Sequence, residues 1–565
     1  MRVRSGHCRG PHRRFGERTW TVLGGGVLIA ASTLEAGTVP QPKMGDALLG
    51  LSAGQLARFD AGMAAFQRVF TEPEGLGPIF NQNSCSSCHG NPLGGPGTVR
   101  VTRAGSEDKF GFDPLEEFGG SLFQQETISE DCREVIPPEA TIVIRRITNG
   151  MLGYGLIEAI PDADIEFYQL NPPSPEVSGR VHWVESFEDP PGTLRAGRFG
   201  WKAQVATILT FSADAALNEM GLTSPFPQTS QENDPNGIHP PNLGDPDFCD
   251  DVPDPEVGMD FLQQLTDFQR FLAAPPQTPK SGMAGEAIFS LIGCTDCHIP
   301  SFTTAKDRML ERAIRNKVVR PYSDFLLHDM GLTADFIEQG DAQQRELKTP
   351  PLAGLRKRDP IWHDGRFEAG TLRSRAEDAI AAHNVTLSEG RAAAQAYAAL
   401  TPAEQDAVIA FLDSLGRREF DHDGNDIVDL DDFIIFASCY EGGPYTPDDP
   451  CAISDVDQNA EVTFPDVVLF LSVYSGPQAD CNNNGVLDLL DILLDVSNDT
   501  NANGVPDECD CLADLSGNGR VDVPDLLALL AAWGVNPGHP ADLDGDGYVG
   551  WTDLIDLTAT WGACP

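Results

Sequence analysis

The chain has 565 residues, of which 85 are acidic and 39 basic, so its formal net charge at pH 7 is −46. This length predicts several domains. The charge excludes a nucleic-acid partner, because two polyanions repel each other.

The extreme N-terminus is the one basic stretch. Six arginines fall within residues 1–18, an apolar segment follows over 20–31, and small residues continue to Gly37. This order predicts a secretory signal over 1–36 and a mature protein in the periplasm or at the cell surface. An uncleaved anchor is the alternative, and we expect no membrane span after cleavage.

Two copies of the pattern C-x-x-C-H come next in the chain. The first is Cys85, Cys88 and His89, and the second is Cys294, Cys297 and His298. In this pattern the cysteines form thioethers to a porphyrin and the histidine ligates its iron, so we expect two covalently bound c-type haems. A zinc site formed by the four cysteines is the alternative.

The surrounding sequence predicts a mainly α fold. Apolar residues recur at helical spacing over 53–70 and 258–272, the segment 284–292 leads into the second motif, and a capping-box pattern starts a helix over 401–415. We expect two cytochrome c-like haem domains, over 44–275 and 276–416. A calcium-loop helical module of the EF-hand or dockerin type follows, over 418–510 and 511–565.

The boundary near 418 rests on composition. Residues 417–565 contain 30 Asp or Glu, three Arg and no Lys. Eight cysteines remain outside the haem motifs and the signal, an even number that suits disulfides in an exported chain. Cys132 with Cys249 is the natural pair in the haem region. The connectivity of the six tail cysteines cannot be read from the sequence, and Cys439 with Cys451 is the easiest local loop to close.

Seven short landmarks occur in order around the two haem motifs. They are 75–81 (GLGPIFN), 155–163 (GLIEAIPDA), 197–203 (GRFGWKA), 292–293 (IG), 322–331 (YSDFLLHDMG), 349–352 (TPPL) and 363–366 (HDGR). Over roughly 44–416 the chain resembles the di-haem oxidoreductases described as putative peroxidases, which are related to bacterial cytochrome c peroxidase.

This resemblance implies that the N-terminal haem is the peroxide site and that the C-terminal haem relays electrons from a small redox protein or another donor. It also implies a histidine after the His-Asp-Gly-Arg motif as distal ligand of the relay haem, and His383 is the candidate. His363, His328 and Met330 are the alternatives.

The distal side of the N-terminal haem is less defined. Glu158 is the candidate catalytic acid, because a carboxyl group in an apolar run is costly to bury without a role; a partly exposed surface glutamate is the alternative. Trp201 either lies between the haems or belongs to the core. His182 and His239 are the histidines between the two motifs, and ligation by either would favour a non-catalytic electron-transfer cytochrome.

The acidic tail contains six segments with acidic, amide or Ser residues at positions 1, 3, 5 and 12 of a calcium loop. They are Asp421, Asp423, Asn425, Asp432; Asp455, Asp457, Asn459, Asp466; Asp480, Asn482, Asn484, Asp491; Asp499, Asn501, Asn503, Asp510; Asp514, Ser516, Asn518, Asp525; and Asp542, Asp544, Asp546, Asp553. The last two resemble dockerin type I repeats, and those at 480 and 499 resemble thrombospondin type 3 repeats. We expect calcium binding. The tail either docks on a cohesin-like partner or acts as a stalk, and a surface scaffold protein is the third hypothesis for the whole chain.

Overall fold

The computed structural model describes residues 39–109, 111–226, 252–482, 484–500, 502–507 and 509–563. The predicted signal, His239 and Cys249 lie outside the described residues. A compact unit begins at Pro40 and contains both haem motifs and the acidic tail.

The predicted helices of the haem region are confirmed within a few residues at each end. In chain order the helices of this region are α1 (Ala53–Phe66), α2 (Cys85–Cys88), α3 (Tyr154–Glu158), α4 (Asp162–Leu170), α5 (Ile208–Met220), α6 (Met259–Phe271), α7 (Ala284–Leu291), α8 (Leu372–Ala382), α9 (Arg391–Ala398) and α10 (Pro402–Ser414). Capping boxes begin α1 at Ser52 and α10 at Thr401. The tail adds α11 (Leu430–Cys439), α12 (Phe464–Val473), α13 (Asp488–Leu493), α14 (Val523–Ala531) and α15 (Trp551–Ala559).

Short strands connect these helices, and they were not predicted. They are β1 (Ile79–Phe80), β2 (Arg100–Asp108), β3 (Gly111–Asp113), β4 (Leu122–Phe123), β5 (Glu126–Thr127), β6 (Ile142–Ile147), β7 (Trp183–Val184), β8 (Arg195–Ala196), β9 (Phe302–Thr303), β10 (Val318–Val319), β11 (Leu327–Asp329), β12 (Glu346–Lys348), β13 (Arg520–Val521), β14 (Gly534–Val535), β15 (Tyr548–Val549) and β16 (Gly562–Ala563). The largest sheet is antiparallel, with β2 pairing β3, β4 and β6. Each of the other sheets in the described residues has two strands.

Two hydrophobic cores underlie the haem region. The larger runs from Phe59 to Leu326 and joins α1, α5 and α6, and the smaller runs from Met283 to Leu415 around α7 and α10. Residues such as Ile299 and Phe325, which follow the second haem motif, pack in the larger core. The two haem segments therefore share packing, and the domain boundary at 275/276 stays a prediction.

The tail has two further cores, over Phe420–Leu489 and Ala513–Leu557. In the second, β13 pairs β16 and β14 pairs β15, so the strand of each of the last two loops pairs with the segment after the opposite helix. The predicted Cys439–Cys451 disulfide is confirmed, and Cys481 is bonded to Cys509. Cys132 is also disulfide-bonded. Within the described residues no helix is both long and apolar enough to cross a membrane.

Candidate haem sites

The first C-x-x-C-H motif forms α2, and its cysteines carry free thiols, in contrast to the disulfides elsewhere. The Nδ1 of His89 donates to the carbonyl oxygen of Gly95 at 3.1 Å. A carbonyl only accepts, so this bond places the proton on Nδ1 and leaves Nε2 free as a ligand. Burial lowers the pKa of His89 to about 4, which keeps the ring neutral at pH 7.

A cavity of about 1110 Å³ adjoins this motif, and Cys85, Cys88 and His89 form part of its wall. Ligand pockets are commonly about 300–1,000 Å³, so the space suits a large flat cofactor. The rest of the wall includes residues of β2, β6, α5 and α6 and of the segments 182–205 and 339–341. Thiols, a histidine with a free Nε2 and a cavity of this size together fit a haem.

The second motif repeats this arrangement. It follows α7 as a short 3₁₀ turn, Cys294–Asp296, and both of its thiols are free. The Nδ1 of His298 donates to the carbonyl oxygen of Tyr322 at 2.9 Å, again leaving Nε2 free. Burial lowers the pKa of His298 to about 4. The residues present therefore fit a second haem.

His383, the predicted distal ligand, lies at the C-terminal end of α8. Its Nδ1 donates to the carbonyl oxygen of Ala379 at 2.8 Å, so it has the same free Nε2 as the two proximal histidines. Its ring lies 5.0 Å from the ring of Trp362, edge to face.

The alternatives to His383 differ in what holds their rings. Both nitrogens of His328 are engaged, Nδ1 with Glu389 at 2.8 Å and Nε2 with Asp324 at 2.9 Å, which argues against ligation by this residue. His363 is buried between two tryptophan rings, and its Nδ1 has no hydrogen-bond partner among the described residues. Met330 begins a 3₁₀ turn after β11.

Glu158, the predicted catalytic acid, lies outside the wall of the large cavity. One carboxylate oxygen accepts from the backbone N–H of Ile208 at 2.8 Å, and the other pairs with Arg270 at 2.9 Å. The carboxyl group therefore holds the start of α5 against α6. Arg270, 112 residues further along the chain, compensates the charge of Glu158, and the catalytic role of Glu158 stays a prediction.

Polar groups that sequence reasoning missed line the cavity instead. Arg146 on β6 is held by Asp335 at 2.7 Å and by the side-chain oxygen of Gln339 at 2.7 Å. Both Arg146 and Gln339 face the cavity, as does Glu219 on α5. Burial raises the pKa of Glu219, although the side chain of Asn81 donates to it.

Three further side chains in the cavity wall would decide whether a haem bound there has a sixth protein ligand. His182 lines the cavity, but its Nδ1 donates to the carbonyl oxygen of Lys202 at 2.8 Å and its Nε2 accepts from the backbone N–H of Asp341 at 3.3 Å. Met151 and Met220 also line the cavity. Their thioethers are candidate ligands that the sequence did not indicate.

Three of the predicted calcium loops bring carboxylates together. The groups are Asp421, Asp423, Asp432; Asp455, Asp457, Asp466; and Asp542, Asp544, Asp553, each with ligand atoms within 4.8 Å of one another. Asp421 is fully buried, and its carboxylate interacts with the backbone N–H groups of Gly424 and Asp426 and has no cationic ion-pair partner among the described residues. In the loops at 480 and 499, the side-chain amides of Asn484 and Asn503 instead donate to the closing aspartate.

A helix-rich fold with small sheets and two haem-binding motifs defines the class of di-haem oxidoreductases. The sequence profile described as "Di-haem oxidoreductase, putative peroxidase" matches residues 124–415, just over half of the chain, and the chain belongs to this family. The match includes the second C-x-x-C-H motif and begins after the first. The family supports an oxidoreductase with two haems and a peroxidase-like function.

A solved structure described as a MauG-like protein associated with microbial copper homeostasis is 13% identical to this chain. The alignment covers 67% of this chain and 93% of that one, with a TM-score of 0.30. No curated protein matches.

Proposed function

We propose that the chain is an exported di-haem c-type oxidoreductase that reduces peroxide at the haem of Cys85, Cys88 and His89. The haem of Cys294, Cys297 and His298 supplies the electrons, received from a small redox protein or another donor. Bound haem iron would supply the one-electron and peroxide chemistry. One observation carries the proposal. Beside the second motif a further histidine has a free Nε2 that could ligate an iron, whereas the further histidine in the first cavity does not.

His383 lies close enough to His298 for its charge to lower the pKa of that ring. Burial lowers the pKa of His383 itself, and its Nε2 is free, as a sixth ligand requires. In the first cavity, both nitrogens of His182 already have partners. A site without a sixth protein ligand can admit a substrate, whereas a site with two histidines favours electron transfer.

Aromatic rings connect the two sites and support electron transfer between them. Trp201 lines the first cavity, and its ring centroid lies 6.3 Å from that of His363. His363 lies 6.1 Å from Trp362, which in turn lies 5.0 Å from His383. The indole N–H of Trp201 is fixed by the carbonyl oxygen of Ile147 at 2.9 Å.

The polar groups of the first cavity suit peroxide binding. Arg146 is permanently charged and is fixed by Asp335 and Gln339, so its guanidinium can stabilise negative charge that develops on an oxygen atom. Glu219, with its raised pKa, is the candidate proton donor in place of Glu158.

Electron paramagnetic resonance of the ferric and half-reduced protein tests this proposal. We expect one high-spin and one low-spin signal, with the low-spin signal lost in His383→Ala. Two low-spin signals would favour the non-catalytic cytochrome, with Met151 or Met220 as ligand of the first iron; Met151→Leu and Met220→Leu would identify which one. Peroxide turnover with a reduced donor is the second assay, and Arg146→Gln should slow it.

We also propose that the tail binds calcium, because buried carboxylates that lie within 4.8 Å of one another repel each other unless a cation compensates them. Asp421 and Asp432 are both fully buried in the first loop. Isothermal titration with calcium should give several sites per chain, and Asp421→Asn should remove one of them. Asp431→Asn, an exposed neighbour at the start of α11, is the matched control. Equal stoichiometry in both variants would contradict this assignment.

The partner of the tail is a separate proposal. The last two loops, with their paired strands, suit a dockerin-like module for a cohesin-like protein. A pull-down with the full-length chain, with and without calcium, distinguishes the two roles. Calcium-dependent capture of a cohesin-like protein would support docking through residues 511–565, and no capture would favour a stalk. Export is tested by locating the mature protein and sequencing its N-terminus.

A further inference from the structure

A small cavity of about 30 Å³ lies between the two haem segments. One side is formed by residues 150–157, after β6, and the other by residues 319–321 and 351–358, after the second haem motif. Tyr154 lines both this cavity and the large one beside Cys85. Pro321, also in its wall, precedes Tyr322, whose carbonyl oxygen holds His298.

Two arginines, Arg320 and Arg358, line this small cavity. Among the described residues, neither side chain has a partner for a hydrogen bond or an ion pair. Burial lowers the pKa of Arg358. By contrast, the neighbouring Arg356 pairs with Asp413 at 2.5 Å.

A third cation lies close behind them. Lys348 is buried, and in the described part of the chain its ammonium donates only to the carbonyl oxygen of Thr349, at 3.3 Å. Burial, together with the charge of Arg358, lowers the pKa of Lys348 to about 7. The nearest acidic influence, Asp324, is already bound to His328.

Arg320 and Arg358 are both partly exposed, and together with the buried Lys348 they give this cavity a positive potential that favours an anion. Its volume accommodates roughly two water-sized groups. It therefore suits the end group of a molecule whose body lies elsewhere. A haem in the large cavity, which shares Tyr154 with this one, carries two such groups, its propionate carboxylates.

We propose that Arg320 and Arg358 form a carboxylate-binding site that holds a propionate of the haem attached at Cys85 and Cys88. Lys348 adds positive potential behind the two guanidinium groups. A planar guanidinium binds a carboxylate through two parallel hydrogen bonds, which also fixes the rotation of the haem. This inference rests on the proposed haem binding, and a free small carboxylate is the other source of the same chemistry.

The test uses the full-length holoprotein with Arg358→Gln, Arg320→Gln and the charge-retaining Arg358→Lys. The control is Arg373→Gln, a surface arginine paired with Glu377 and Asp406. The haem content of each protein is measured first, so that failure of haem binding is distinguished from failure of this inference. Redox potentiometry and resonance Raman spectra of the propionate bending modes are then recorded.

We expect Arg358→Gln and Arg320→Gln to lower the midpoint potential of one haem, because each removes a positive charge that favours its reduced state. The propionate bending mode of that haem should shift, Arg358→Lys should retain most of the potential, and Arg373→Gln should leave both unchanged. If Arg358→Gln does not fold, Arg320→Gln and Arg358→Lys give the same test. Unchanged potentials and Raman modes in all fully loaded variants would overturn the inference.

Added acetate distinguishes the two sources of carboxylate. If a propionate occupies the site, acetate leaves the potential of the wild-type protein unchanged. A saturable acetate effect that is lost in Arg358→Gln would overturn the propionate assignment and identify a site for a free carboxylate.

Discussion

Asp335 forms ion pairs with two buried cations, Arg146 in the wall of the large cavity and Lys202. It accepts from Arg146 at 2.7 Å and from Lys202 at 3.1 Å, and the three side chains are at most 4% exposed. Burial would raise the pKa of Asp335, but the charges of Arg146 and Lys202 outweigh it and hold the pKa well below its usual range. Asp335→Asn therefore removes the ion-pair partner that the two buried cations share.

Breaking a buried pair from one side costs about 3–5 kcal/mol, and we expect Asp335→Asn to lose stability in this range at pH 7. The measurement is urea unfolding followed by tryptophan fluorescence, with a lower midpoint at unchanged slope. Asp329→Asn is the control, because its partner Arg345 lies at 2.6 Å but is exposed, and such pairs contribute about 0–1 kcal/mol.

The pH dependence of this loss follows from Lys202. Burial lowers the pKa of Lys202 to about 8, and Asp335 opposes that shift. Without Asp335 the pKa falls further, so folded Lys202 releases its proton at a lower pH while the unfolded chain keeps it, and stability rises with pH. Arg146 cannot lose its proton. The difference in unfolding free energy between the wild type and Asp335→Asn should therefore become smaller as the pH rises from 5 to 8. A difference no larger than that of Asp329→Asn, or one independent of pH, would refute the reasoning.

Three further predictions concern other parts of the chain. His383→Ala should convert the low-spin signal of the haem proposed at the second motif to high spin without loss of haem, and retention of low spin would assign its ligand elsewhere. Burial raises the pKa of Glu134 to about 8, although the backbone N–H of Gln124 opposes this shift. The folded state therefore binds a proton that the unfolded chain has released, and the free energy of unfolding should fall as the pH rises from about 5 to 8. Glu134→Gln should remove this pH dependence in urea titrations. Gly62→Ala places a Cβ 2.3 Å from the carbonyl oxygen of Gln264 where α1 crosses α6 and should cost about 1–3 kcal/mol in the same assay, whereas Gly54→Ala, in open space, should not destabilise.

Local patterns carried most of what the sequence could predict. The helices α1, α6, α7 and α10 follow from apolar spacing and capping residues, and the haem motifs are contiguous in the chain. The short strands escaped prediction because β2 pairs with β6 about 40 residues away, and its sequence alternates poorly.

The polar side of the first cavity could not be predicted for a related reason. Arg146 and Asp335 are 189 residues apart, and their ion pair exists only in the folded chain. Glu158 is a similar case. Its partner Arg270 lies 112 residues further on, so the ion pair between them could not be predicted from the sequence.

Shared packing also bears on how the haem region unfolds. Residues that follow the second motif, such as Ile299 and Phe325, lie in the same core as Phe59 and Phe268 of the first haem segment. The wall of the small cavity that Arg320 and Arg358 line is also formed by residues of both segments. Neither segment can bury its apolar surface without the other, so we expect a single cooperative transition for 44–416 in calorimetry of the calcium-saturated protein. The tail, with its own cores and disulfides, should unfold separately, and two transitions within the haem region would show that each segment is stable alone.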